Sequence, residues 1–233
     1  MAQIHFGVLC IPFQVIDVVG PLDLLSSSSA GYLRGMQQVS GFPIEIAQRG
    51  NNIEFVYIGE SLEAVAGTAS IKIQPTTTCA DCPPLDYLLI GGPWPEYFMN
   101  VPPVFTVFVR SRVDELKGIF TTCTGGIVAA MMGILDGKTA TTNHQFLPMA
   151  VKLRPEVNWT TKKQWIEDGK FWTAGGACAG MDMFAHWVCE HYGSDVAEAS
   201  WAALDYEPRD ADGKPIPLKA GLKEWRKSRP ALP

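Results

Sequence analysis

The feature that most constrains this chain is an alternation. Short apolar runs of strand length are separated by stretches whose apolar residues recur at helical spacing. We read strands at residues 5–10, 43–47, 85–90 and 118–122, an exposed hairpin arm over 65–73, and a hairpin over 158–172 turning at Glu167, Asp168 and Gly169. Helical patterns open at Pro21, a tolerated first-turn position, and run over 104–116, 124–132 and 179–192; a last one starts at Asp195 and reaches about residue 204. Strands spaced by helices need crossover connections, which predicts an α/β fold with a mostly parallel sheet covered on both faces. In such folds the functional groups gather at the carboxyl ends of the strands.

Composition agrees with a large core: 47% of the 233 residues are hydrophobic and 18% charged, against about 25% charged in an average soluble protein. Charge divides the chain in two. Residues 1–206 are net −8, whereas 207–233 are net +3 and rich in proline. We therefore expect one α/β domain over 1–206 and an extended basic tail over 207–233. An acidic body repels a phosphate backbone, so nucleic acid is not an expected partner. No run approaches the roughly 18 apolar residues of a membrane span, and the N-terminus lacks a basic leader region. A cytoplasmic protein with reduced thiols is expected.

Six cysteines, at 10, 79, 82, 123, 178 and 189, are the chemistry to sort. In KGIFTTCTGGIVAAMMGILDG (117–137) a β run ends at Cys123, and Thr124, Gly125 and Gly126 open a helix at once. That is the layout of a nucleophile elbow, although the usual glycine two residues earlier is absent. A helix N-terminus would favour thiolate, and the Thr124 N–H could donate to a developing oxyanion. A buried strand-end cysteine is the plainer alternative. In QVIDVVGPLDLL (14–25), Asp17 is isolated among apolar residues; buried, it must be partnered or protonated, and exposed, it is an ordinary turn aspartate. Gly91 and Gly92 follow the apolar run of 85–90 and permit a close backbone approach or a plain turn. FWTAGGACAGMD (171–182) is a small-residue loop holding Gly176 and Cys178. The pair Cys79 and Cys82 has redox or half-zinc spacing without a second pair, and nucleotide-binding glycine motifs are absent. Neither a metal nor an organic cofactor is expected.

These segments together resemble the ThiJ/PfpI superfamily, and within it the isonitrile (isocyanide) hydratase-like branch. The resemblance runs from about residue 4 to 204 and is carried by QVIDVVGPLDLL, TTTCADCPPLDYLLIGG, TTCTGGIVAAMMGILDGKTATT and GGACAGMD in order. It implies a flavodoxin-like three-layer sandwich with a mostly parallel central sheet and a cysteine elbow like that of class I glutamine amidotransferases. It implies Cys123 as nucleophile, Asp17 as its acidic partner, Thr124 beside it, and the backbone of Gly92 and Thr124 as donors, with Asn143, His144, Gly176 and Cys178 around the pocket. Relatives carry histidine after the Thr-Thr pair, but here Thr141 and Thr142 are followed by Asn143, with His144 one place on. A one-residue shift on an extended segment can reverse a side chain, which counts against Cys–His chemistry. The implied activity is hydration of an isocyanide through a Cys123 thioimidate. A glyoxalase-like hydratase or amidase, or an oxidation-sensing thiol protein, are the alternatives. The resemblance also implies a homodimer acting on a small molecule. Regulators of the superfamily carry a fused helix-turn-helix module, which the chain to Pro233 does not show.

Overall fold

The computed structural model describes residues 2–40 and 42–217. In chain order the elements are β1 (Ile4–Leu9), α1 (Ile16–Ser27), α2 (Ala30–Ser40), α3 (Ile44–Gln48), β2 (Ile53–Gly59), β3 (Val65–Ala66), β4 (Lys72–Ile73), β5 (Thr77–Thr78), β6 (Tyr87–Ile90), α4 (Pro95–Phe98) and α5 (Pro103–Arg112). They continue with β7 (Gly118–Thr122), α6 (Gly125–Met131), β8 (Thr139–Ala140), α7 (Leu147–Leu153), β9 (Asn158–Trp159), β10 (Trp165–Asp168), β11 (Phe171–Ala174), α8 (Ala177–Tyr192) and α9 (Ser194–Ala203).

Seven strands form the main sheet in the order β10-β11-β7-β6-β1-β2-β5. All neighbours run parallel except the hairpin of β10 and β11, which turns at Gly169 with φ +62°. The chain lays β2 and β5 to one side of β1, then crosses to place β6, β7 and β11 on the other. The crevice between the carboxyl ends of β1 and β6 is therefore the topological switch point where this architecture accommodates ligands. Buried rings of Phe6, Tyr87, Phe120, Phe184 and Trp187 lock β1, β6 and β7 to α8, with Phe120 and Phe184 centroids 4.5 Å apart. Helices α1, α8 and α9 pack together, and α6 lies against β6 and β7.

One strand assignment is overturned. Residues expected as a strand at 43–47 form the short helix α3, entered through Pro43 at φ −56°, ψ 132°. Five residues are too few for periodicity to separate the two states. The strand beside β1 is instead β2, inside the polar-looking stretch 51–63, with Ile4 opposite Ile53 and Leu9 opposite Ile58.

The part of the expected extended tail that is described is not extended. Residues 206–217 form a tight turn bridged at Arg209 and Pro215, and Ala211 accepts from Gln164 N–H at 2.8 Å. Its anchor is Asp182 on α8, which accepts from the Tyr206 hydroxyl and from Arg209 N–H. The basic residues from Lys219 to Arg229 lie outside the described residues. Tyr206→Phe leaves buried Asp182 short of a donor and is expected to destabilise the fold by about 1–3 kcal/mol, read as a lower melting temperature. An unchanged melt would show that the anchor contributes nothing.

Candidate active site

Three strand ends converge at the switch point. The segment after β1 is tied to the end of β6 by Gln14 N–H to Gly92 O at 2.9 Å, and Phe13 bridges Pro93. The Thr122 hydroxyl at the end of β7 donates to Asp17 O at 2.9 Å, fixing the first turn of α1 against β7. Asp17 is fully buried there. One carboxylate oxygen accepts from Gly92 N–H at 3.2 Å, and the other has no partner at ordinary hydrogen-bond geometry.

Cys123 lies between β7 and α6 with φ +54°, the left-handed region that a non-glycine residue occupies only under external constraint. The constraints are visible: Cys123 N–H donates to Ala174 O at 3.0 Å, and its carbonyl accepts from the Thr142 hydroxyl at 2.9 Å. This strained strand–turn–helix joint is the elbow geometry. Asn143 Nδ2 donates to Cys123 Sγ at 3.3 Å. The Thr124 hydroxyl is spent on Pro93 O at 2.6 Å, while its backbone N–H faces the thiol.

Electrostatics here oppose the expectation of a ready thiolate. Burial and the neighbouring Asp17 carboxylate push the Cys123 thiol up, against the lowering effect of the Asn143 and Thr124 donors. Burial likewise pushes Asp17 up to about 7, offset in part by Gly92 N–H and by the thiol itself. Each group acts on the other's titration, the Asp17 carboxylate raising the thiol and the thiol lowering the carboxyl, although no thiol-to-carboxylate hydrogen bond of ordinary geometry joins them.

The other expected pocket residues are less concentrated. His144 is exposed, and its Nε2 would lie 2.9 Å from a Cβ built on Gly175; it is not among the groups acting on the thiol. The position beside sulfur belongs to Asn143. Gly176 is the extended N-cap of α8, with open space around a would-be Cβ. Cys178 is exposed in the first turn of α8. Gly92 N–H, expected as an oxyanion donor, donates instead to Asp17. Thr122 and Thr142, which hold the two key residues, were not singled out in the sequence; the only local signal was the paired threonines.

All six cysteines are free, and burial pushes Cys79 and Cys82 up to about 11, away from thiolate chemistry. No cluster of metal-ligating side chains is found among the described residues. No described helix is long and apolar enough to cross a membrane.

The model of the DJ-1/PfpI family matches residues 14–190, a stretch that begins just before Asp17 and takes in Cys123 and Asn143. The chain belongs to the DJ-1/PfpI family. Within it, the chain is 27% identical over 212 residues to an isonitrile hydratase of Pseudomonas putida, covering 88% of this chain and 79% of that one. It is 24% identical over 152 residues to the HTH-type transcriptional regulator GbdR of Pseudomonas aeruginosa, covering 64% of this chain and 41% of that one. Among solved structures, a ThiJ/PfpI family protein from Pseudomonas syringae superposes with a TM-score of 0.73 at 22% identity, covering 95% of this chain and 80% of that one. DJ-1/PfpI membership thus accounts for the sheet and the elbow, while the family's relatives differ in what they do.

Proposed function

We propose that this chain is a cysteine-dependent hydratase of the isocyanide hydratase type, acting on a small neutral R–N≡C. The observation that carries the reading is the company kept by Cys123: a carboxyl group poised near neutral pKa and two neutral N–H donors, with no imidazole acting on the sulfur. Isocyanide hydration can proceed with that set alone. The terminal carbon takes both the nucleophile and a proton, so no leaving group has to be protonated by a histidine.

In this reading the thiol proton passes to Asp17 as the Cys123 sulfur attacks the terminal carbon. Asp17 returns the proton to that carbon, giving the thioimidate R–N=CH–S–Cys. Water adds to the same carbon, losing a proton through Asp17 to the nitrogen. The adduct R–NH–CH(OH)–S–Cys then collapses to R–NH–CHO and the free thiol. Thr124 N–H would donate to the polarised intermediates, as oxyanion donors do. The similarity to the Pseudomonas putida isonitrile hydratase supports the substrate class. Exposed Ile16 and Val19 on α1 support a homodimer, and six free thiols a reducing cytoplasm.

Purified protein incubated with an aryl isocyanide is expected to release the matching N-formamide, followed by mass spectrometry. No formamide above the rate in buffer would overturn the proposal.

A further inference from the structure

We propose that Asn143 is a catalytic residue of this site: a neutral donor that stabilises the Cys123 thiolate and, being unable to accept the thiol proton, leaves that proton to Asp17. The inference deepens the hydratase reading and rests on it for the reaction, though not for the thiol chemistry.

The orientation of the amide is what makes the case. Asn143 Oδ1 accepts from Gln145 N–H at 3.1 Å, and the Asn143 carbonyl accepts from Phe146 N–H at 2.9 Å. Turning the amide over would place NH2 against an N–H, so Nδ2 is held toward Cys123 Sγ, 3.3 Å away. The loop is in turn anchored next to the elbow, because the Thr142 hydroxyl is bonded to the Cys123 carbonyl. A side chain that only filled space would not need its acceptor tied back and its donor aimed at sulfur.

A neutral amide differs from an imidazole in one decisive respect. It lowers the energy of a thiolate, but its NH2 nitrogen, whose lone pair is delocalised into the carbonyl, is not basic enough to take a proton. The groups facing Cys123 from each packed element are then few. Asp17 comes from α1, Ala174 O from β11 and Thr124 N–H from the start of α6; the loop before α7 gives Asn143, with His144 turned to Gly175. Of these, Asp17 alone can exchange a proton with the thiol. Hydrogen bonds to charged groups contribute about 1.5–3 kcal/mol, so removal of the donor should cost about tenfold or more in thiolate population at fixed pH.

The test is alkylation of Cys123 by iodoacetamide in the full-length protein, followed on the Cys123 peptide by mass spectrometry from pH 6 to 10. Asn143→Ala and Asn143→Asp are both expected to react about tenfold or more slowly at pH 7, with the inflection moved to higher pH. Asn143→Asp is the informative variant, since its carboxylate can still accept from Gln145 N–H and keep the loop while replacing the donor by an acceptor. Wild-type reactivity in Asn143→Asp, or in Asn143→Ala, would overturn the proposal. Because alkylation needs no substrate, failure of isocyanide turnover with slowed alkylation would reject the hydratase reading and leave the role of Asn143 standing.

Discussion

Asp17→Asn is expected to stabilise the protein above pH 7 while removing most of its turnover. In the unfolded chain Asp17 ionises near its ordinary 3.8, but in the fold it keeps its proton up to about 7. Between those values the folded state binds more protons than the unfolded state, so stability falls as pH rises, and the loss is complete above about 7. Asparagine does not titrate, and its Oδ1 can still accept from Gly92 N–H. The variant should therefore match wild type near pH 4 and exceed it at pH 8, by on the order of 4 kcal/mol. That corresponds to a melting temperature roughly 10 °C higher. Formamide production, by contrast, should fall about a hundredfold or more, because the group proposed to move the proton is gone. Opposite signs for stability and activity are the mark of a buried group kept for function. Equal melting curves at pH 8, or retained turnover, would refute this role for Asp17.

Gly125→Ala should be the most damaging substitution of a small residue. A Cβ at this position would stand 2.2 Å from Ile90 O and 3.1 Å from Gly91 C and O, all backbone atoms at the carboxyl end of β6. Nothing flexible is available to yield, so either β6 or the start of α6 must move. Overpacking against backbone is expected to destabilise by about 3 kcal/mol or more, a large part of the 5–15 kcal/mol that holds a typical domain. Displacement of β6 would also carry Gly92 away from Asp17. Gly35→Ala is the matched control: Gly35 lies in α2, exposed, with nothing within 4 Å of the added carbon. It should stabilise by about 0.5–1 kcal/mol from helix propensity. Chemical denaturation of the two variants decides the matter, and a Gly125→Ala protein as stable as wild type would contradict the packing described.

The sequence by itself determined the repeating strand–helix plan, because apolar periodicity is local and strong over 118–132 and 177–192. It also marked Cys123 as an elbow candidate, since a strand runs straight into the small residues Thr124, Gly125 and Gly126, but pattern alone did not separate that elbow from a buried strand-end cysteine. Asp17 was visible as a lone charge in an apolar run, and Gly92 as part of a strand-ending pair. It did not distinguish α3 from a strand, because Ile44 to Ala47 is shorter than the repeat needed to tell the two periods apart. Nor did it place β2, whose alternation of Ile53, Phe55 and Tyr57 with less apolar neighbours becomes meaningful only beside β1.

What only the tertiary structure decided is how the site residues divide the work. Asn143 rather than His144 reaches sulfur, because Thr142 and Gln145 fix the loop's register across elements far apart in the chain. Gly92 N–H serves Asp17 because the β1 and β6 ends are stitched together. The thiol and carboxyl are both pushed up because burial outweighs the donors around them. Each of these depends on desolvation and long-range contact. Those forces act on residues by where the fold puts them, and no spacing along the chain encodes them.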